Sequence, residues 1–427
     1  MRFNFCAMGK IQDDNTLYSI CKYAVDHHTR RSFRRIKITG EENIPTDGAV
    51  VFGSNHCNTL MDALVLLRTT RQKKVFIARA DIFQKPRIAA ILRWLRILPI
   101  YRIRDGIGAV RDKNGDIMDQ AVDVMHDQVP LYLYPEATHR TMHSLRQLSK
   151  GIFHIALDAN RKFGHEKPVY IVPVGLEYGD YFRFRSTLLI TYGKPINVTE
   201  YMKAHEGENE AVIFNELKAM LREKMSELIS FVPDDPDYDA IWEMTKIKVG
   251  KRPCDLQKQM EKNREEIAKI VDFREKEPEK AQTVFEKVRE FTKKRREKHI
   301  SVKSVARNQS FVVTLLKSLL AIVGLPVFVA AAVVTCPIWI VAALILKGLK
   351  DKAFRNTANM CVEFVLHPLI MIVGVTLLFC LAPWECALAG SIFLYFSYVF
   401  FFDYMEFVRI LASDWRWLFN RKMMPEI

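Results

Sequence analysis

A histidine just past an apolar run is a candidate general base, and the chain of 427 residues has one in Val50-Val51-Phe52-Gly53-Ser54-Asn55-His56-Cys57-Asn58-Thr59-Leu60-Met61-Asp62. His56 falls at a strand-to-helix turn, where α/β folds place their sites. Asp62, in the following helix, can accept the imidazole Nδ1–H, fixing the tautomer and leaving Nε2 as a base. Taken alone the pair is a weak signal, since a turn histidine near an acid often arises by chance. Three more groups follow it. Leu98-Pro99-Ile100-Tyr101-Arg102 puts an arginine just past a strand, where it could hold a phosphate bidentately, although on its own it reads better as an ordinary surface cation. Tyr134-Pro135-Glu136-Ala137-Thr138-His139-Arg140 puts polar and basic groups at a second strand end, where Glu136 and Thr138 could equally act as helix caps. Tyr170-Ile171-Val172-Pro173-Val174-Gly175 is a buried strand whose proline marks a close approach.

The elements that must position these groups read as alternating strands and helices. Ala49–Gly53, Lys74–Ala78, Leu131–Tyr134, Val169–Val174 and Leu188–Tyr192 read as strands; Thr59–Arg68, Gly115–His126 and Gly151–Phe163 read as helices. That alternation predicts an α/β domain with a mixed, largely parallel sheet flanked by helices. A helical segment and C-terminal transmembrane helices follow it. The expected division is a basic helical segment over 1–40, the α/β domain over 41–231, a charged helical linker over 232–310, a transmembrane region over 311–404 and a basic cytoplasmic tail over 405–427. Within the linker, 256–306 predicts one or two long helices.

A mean hydropathy of −0.03 conceals this contrast. Ser318–Leu346 has no charged residue over 29 positions, longer than the roughly 20 needed to cross a bilayer core. Phe364–Pro383 and Ala387–Phe402 are two further apolar stretches. Cations before, between and after these blocks belong on the cytoplasmic side by the positive-inside rule, so each block should return to its starting face. Two hairpins satisfy this: Pro326 and Pro337 could break the first block into a hairpin or re-entrant pair, and the second turns at Trp384-Glu385; one long tilted span is the alternative for the first. Met1–Asp14 has no apolar core, so no signal peptide is expected. The eight cysteines form no CxxC pair and no zinc spacing, which fits a catalytic part facing a reducing cytoplasm.

Order and spacing together carry more than any group alone. Asn55-His56…Asp62, Pro99-Ile100-Tyr101-Arg102, Tyr134-Pro135-Glu136-Ala137-Thr138 and Val172-Pro173-Val174 resemble, in sequence order, the four blocks of the glycerolipid acyltransferase family, over about residues 37–200. The resemblance implies His56 as base and Asp62 as its orienting acid, with Arg102, Glu136, Thr138 and Arg140 holding the acceptor. It implies an acyl donor, acyl-CoA or acyl carrier protein, as co-substrate, and no metal or other cofactor. The acceptor would be a glycerol hydroxyl of lysophosphatidic acid or glycerol-3-phosphate, in phospholipid synthesis. Two departures stand out. Five residues separate His56 from Asp62 where the family usually has four, so the helix must start late or the turn must bulge. Ala137 replaces a glycine and tolerates a positive φ poorly, and the motif's arginine is displaced to Arg140 or Arg146. A catalytically silent membrane-tethering paralogue and an acyltransferase for a non-phosphate lipid acceptor therefore remain alternatives. A thiol route through Cys57 is disfavoured, because adjacent side chains usually point apart and the family uses none.

Lys and Arg number 63 against 49 Asp and Glu, so 63 − 49 gives +14. The chain has no recognised nucleic-acid module, and its densest basic run abuts an apolar block, so anionic membrane lipids rather than nucleic acid are the expected partners. The expected location is an integral membrane protein with its catalytic domain facing the cytoplasm, in the cell inner membrane if bacterial or an endoplasmic reticulum-type membrane if eukaryotic.

Overall fold

The computed structural model describes residues 9–70, 72–101, 107–164, 166–250 and 253–424, with the backbone alone over 107–114. The chain divides into two units. The first holds residues up to 30, 35–181 and 187–229; the second holds 31–34, 182–186 and 230–427.

Among the described residues, eight strands form the sheet: β1 (Phe33–Thr39), β2 (Ala49–Ser54), β3 (Val75–Arg79), β4 (Ile97–Ile100), β5 (Leu131–Leu133), β6 (Val169–Tyr178), β7 (Ser186–Tyr192) and β8 (Ile196–Asn197). Their order is β1-β7-β6-β2-β5-β3-β4, with β8 also paired to β6. β6, β2, β5, β3 and β4 run parallel, and β7 and β8 pair antiparallel with β6. The sheet is thus mixed and largely parallel. β2, β5 and β6 are buried almost throughout, as expected of strands covered on both faces, whose sequences are apolar runs rather than alternations.

Pro173 sits in the middle of this sheet without breaking it. β6 pairs with β8 at residues 170–171 and with β7 at 174–178. The Pro173 carbonyl accepts from Gly193 N at 2.9 Å on that same side. A residue's N–H and C=O share a side of a strand, so the missing donor faces the junction of β7 and β8, where no ladder bond is lost. Gly175 allows a close approach, since a Cβ there would lie 2.5 Å from the Leu228 carbonyl oxygen.

Among the described residues, seven helices accompany the strands: α1 (Thr16–Arg31), α2 (Leu60–Arg68), α3 (Pro86–Trp94), α4 (Ile107–His126), α5 (Gly151–Lys162), α6 (Val198–Ala204) and α7 (Glu210–Ser226). Residues 33–39, expected within a helical N-terminal segment, are a strand. Phe33-Arg34-Arg35-Ile36-Lys37-Ile38-Thr39 alternates apolar and polar residues from Ile36 on, a period of two that the arginine run obscured.

In the second unit, α8 (Tyr238–Lys248), α9 (Leu256–Lys276) and α10 (Pro278–Glu297) enclose a core of their own that includes Ile241, Met244, Ile267, Ile270, Phe285 and Val288. The segment expected as a charged linker is therefore a packed three-helix assembly, whose sparse apolar stripes meet one another. Pro278 starts α10 and divides it from α9, because proline fits a first helical turn.

After α11 (Val302–Arg307) come α12 (Phe311–Val334), α13 (Cys336–Gly348), α14 (Arg355–Leu381) and α15 (Trp384–Leu418). Three of them, α12, α14 and α15, are long and apolar enough to cross a membrane. α13 has 13 residues, about 20 Å at 1.5 Å each, short of a hydrocarbon core of about 30 Å. The first apolar block breaks at Thr335 with Pro337 in the new first turn, while Pro326 stays inside α12. α15 continues to Leu418 through residues expected as a tail, since Ile410, Asp414 and Trp417 recur at helical spacing and are buried.

α14 also buries charge. Arg31 Nε lies 2.9 Å from Glu363 Oε1, and its Nη2 lies 3.1 Å from His367 Nε2 and 2.9 Å from the Tyr395 carbonyl. All three side chains are buried, and the guanidinium stands 4.6 Å over the Tyr395 ring. The pairing compensates ions that an apolar helix could not carry alone.

Candidate active site

The site forms where parallel strands end side by side. β2 and β5 pair Val51 with Leu131, Phe52 with Tyr132 and Gly53 with Leu133, a constant offset of 80. The same offset persists past the strands, where His56 N donates to Glu136 Oε1 at 3.1 Å. On the other side of β2, the Asn55 amide grips β6, donating to the Leu176 carbonyl at 3.0 Å and accepting from its N–H at 2.7 Å. Ladder register, continued by two side chains, fixes the turn that carries His56.

Asp62 lies in the first turn of α2, where a carboxylate suits the helix dipole. Its Oδ2 lies 2.8 Å from His56 Nδ1 and accepts from Cys57 N at 2.8 Å and Asn58 N at 2.7 Å. Its Oδ1 accepts from the Tyr178 hydroxyl at 2.7 Å. The carboxylate is fully buried, while the imidazole is 18% exposed. Because Asp62 only accepts, the proton of His56 sits on Nδ1 and Nε2 is the basic nitrogen.

The extra residue between His56 and Asp62 is absorbed before the helix. Thr59, the N-cap, takes φ 50° and ψ −129°, and α2 starts at Leu60. A β-branched residue at positive φ costs about 1–3 kcal/mol, held by the surrounding hydrogen bonds. Ala137, expected to resist positive φ, adopts φ 60°. Its N–H donates to the Tyr134 carbonyl at 3.0 Å and Thr138 N donates to the Glu136 carbonyl at 2.8 Å, so the loop makes the glycine's turn with an alanine.

The other expected residues separate into two groups. Glu136 is buried, with Oε1 on His56 N and Oε2 accepting from Arg146 N at 3.0 Å; burial pushes its carboxyl above the ordinary value. Both oxygens thus clamp backbone. Arg140 N donates to the His56 carbonyl at 2.9 Å, so Arg140 and Thr138 lie on the loop beside the dyad. Arg102 lies outside the described residues. Burial pushes the Cys57 thiol well up, with Asp62 adding to the shift, which suits a neutral thiol rather than a thiolate nucleophile.

Tyr178 was not among the expected residues. It lies on the face of β6 shared with Val174 and Leu176, so a period of two from the Val-Pro-Val strand was the signal available. Lys74 is also buried and donates to the Leu66 carbonyl at 2.6 Å, the Leu67 carbonyl at 3.0 Å and Thr69 Oγ1 at 3.0 Å, closing the far end of α2. Burial lowers its pKa to about 7.

A histidine tied to a buried carboxylate at the carboxyl edge of a largely parallel sheet has the geometry that general acid–base chemistry needs. Residues 35–177 match the family model described as Acyltransferase. Among solved structures the chain is similar to the 1-acyl-sn-glycerophosphate (LPA) acyltransferase, PlsC, from Thermotoga maritima, with 16% identity over 51% of this chain and 83% of that one. The TM-score is 0.35. No curated protein matches the sequence.

Proposed function

We propose that the chain is a membrane-bound O-acyltransferase that moves a fatty acyl group from acyl-CoA or acyl carrier protein to a glycerol hydroxyl of lysophosphatidic acid or glycerol-3-phosphate. The observation that carries the reading is the 2.8 Å contact of His56 Nδ1 with Asp62, inside the segment matched by the acyltransferase family. His56 Nε2 takes the hydroxyl proton as the oxygen attacks the thioester carbonyl. The new C–O bond forms, the C–S bond breaks, and the imidazolium returns its proton to the leaving thiolate. Asp62 stabilises that imidazolium, and the pair contributes on the order of 10²–10⁴ in rate. Arg140 and Thr138 hold the acceptor beside the dyad, with Arg102 supplying its phosphate contact. Glu136 holds the His56 turn in place. The catalytic domain faces the cytoplasm, where the donor is found, and the basic segments at 30–37 and 287–307 draw in anionic lipid.

A silent tethering paralogue would be favoured by His56 and Asp62 lying beyond about 5 Å, outside hydrogen-bond reach; they lie at 2.8 Å. The test uses membranes holding the full chain and labelled acyl-CoA, with glycerol-3-phosphate, dihydroxyacetone phosphate and lysophosphatidate offered separately. Wild type should label one of them and His56→Ala none. Equal product from both proteins refutes the assignment of His56.

A further inference from the structure

We propose that Tyr134 is a positioning residue for His56, acting through the face of its ring and not through its hydroxyl. The proposal rests on the acyl-transfer reading of the His56–Asp62 pair.

The bond from Nδ1 to Asp62 fixes one edge of the imidazole but leaves the ring able to swing about that contact. Tyr134 closes this freedom. Its ring stacks on the imidazole with centroids 4.3 Å apart and planes 20° apart, while His139 meets His56 edge-on at 5.7 Å. Tyr134 directly follows β5, and the offset of 80 that pairs β2 with β5 sets it level with Ser54, two residues before His56. The stack is therefore anchored by the same register that carries the dyad.

An aromatic face does a second thing for this base. When His56 takes the acceptor's proton it becomes a cation, and a π face beside it attracts that cation more than the neutral ring. The interaction strengthens along the reaction, so its loss should lower kcat rather than raise KM. The Tyr134 hydroxyl has no such part. Among the described residues it is buried and has no hydrogen-bond partner, although the Tyr178 hydroxyl reaches Asp62 directly. A buried hydroxyl without a partner normally destabilises a fold. Phenylalanine would keep the stacked face and remove that burden.

The experiment compares wild type, Tyr134→Phe, Tyr134→Leu and His56→Ala as full chains in lipid vesicles, with labelled acyl-CoA and whichever acceptor the wild type uses. Tyr134→Phe should keep kcat within about twofold and melt at the same or a higher temperature. Tyr134→Leu should lose roughly tenfold or more in kcat with KM changed less than about twofold, a combined loss of positioning and cation attraction. If the leucine variant melts below the assay temperature, Tyr134→Met takes its place, with the same loss expected. A leucine or methionine variant at wild-type kcat overturns the proposal. So does a phenylalanine variant as impaired as the leucine one, which would assign the role to the hydroxyl. An active His56→Ala protein would instead overturn the acyl-transfer reading, a separate outcome read from a separate variant.

Discussion

Replacing Asp62 separates the chemistry of the dyad from its architecture. The carboxylate accepts from five groups: His56 Nδ1, Cys57 N and Asn58 N at Oδ2, and the Tyr178 hydroxyl and, more weakly at 3.9 Å, the Cys57 thiol at Oδ1. Asp62→Asn can keep its one carbonyl oxygen at the Oδ2 position, retaining three nitrogen donors. Its NH₂ then faces Tyr178, whose hydroxyl can turn and accept. The fold should lose about 1–3 kcal/mol, the difference between charged and neutral acceptors. The imidazolium, however, loses its counter-charge at 2.8 Å, and kcat should fall by about 10²–10⁴. Asp62→Ala strips every acceptor. Two backbone amides and one buried hydroxyl at about 1–3 kcal/mol each give about 3–9 kcal/mol, comparable with a domain's whole stability. Thermal unfolding and acyl-CoA turnover of the full chain in vesicles check both variants. An asparagine variant with wild-type turnover refutes the role of the carboxylate charge. An alanine variant that melts with the wild type refutes the hydrogen-bond clamp.

Ala137→Gly should keep activity and change stability by about 1 kcal/mol or less, because relief at φ 60° is offset by a freer unfolded chain; a chemical-denaturation loss above about 2 kcal/mol would show that the methyl group packs productively. Lys74 has a folded pKa of about 7 against an ordinary 10.5, so between those values the unfolded chain binds the extra proton and stability rises with pH, by at most about 1.4 kcal/mol per unit. Lys74→Met should flatten that slope, and unfolding midpoints measured across pH 7–10 that match the wild-type slope would contradict it. Glu363→Leu should cost about 3–5 kcal/mol by leaving the Arg31 guanidinium buried without its carboxylate, whereas Arg31→Leu combined with Glu363→Leu should cost much less. Melting curves in detergent decide this, and additive losses would mean the two side chains do not interact.

What could be seen in the sequence was governed by range. The strand runs around Phe52, Tyr132 and Val172 and the apolar blocks near Ile322 and Ile372 are local patterns, and each became the expected element. His56 and Asp62 were within reach because they flank one turn. The bond from the Tyr178 hydroxyl to Asp62 spans 116 positions and that from His56 N to Glu136 spans 80, and both follow from strand register, which no local pattern encodes. Composition misled in two places. The arginines of β1 concealed a period of two, and the many charges of α9 and α10 concealed apolar stripes that meet only after folding. Ala137 misled by chemistry, since the expected reluctance toward positive φ is outweighed by the hydrogen bonds on either side of it.

The Arg31–Glu363 pair joins residues 332 positions apart, which sets a schedule for making the protein. At 5–20 residues per second, Arg31 leaves the ribosome about 20–60 s before Glu363 is made. Throughout that interval the arginine must stay uncommitted. When α14 arrives, its carboxylate and imidazole come with a hydrophobic helix that gains nothing from burying them alone. The hairpin of α14 and α15 can therefore settle only after Arg31, made long before it, has been held in readiness for it.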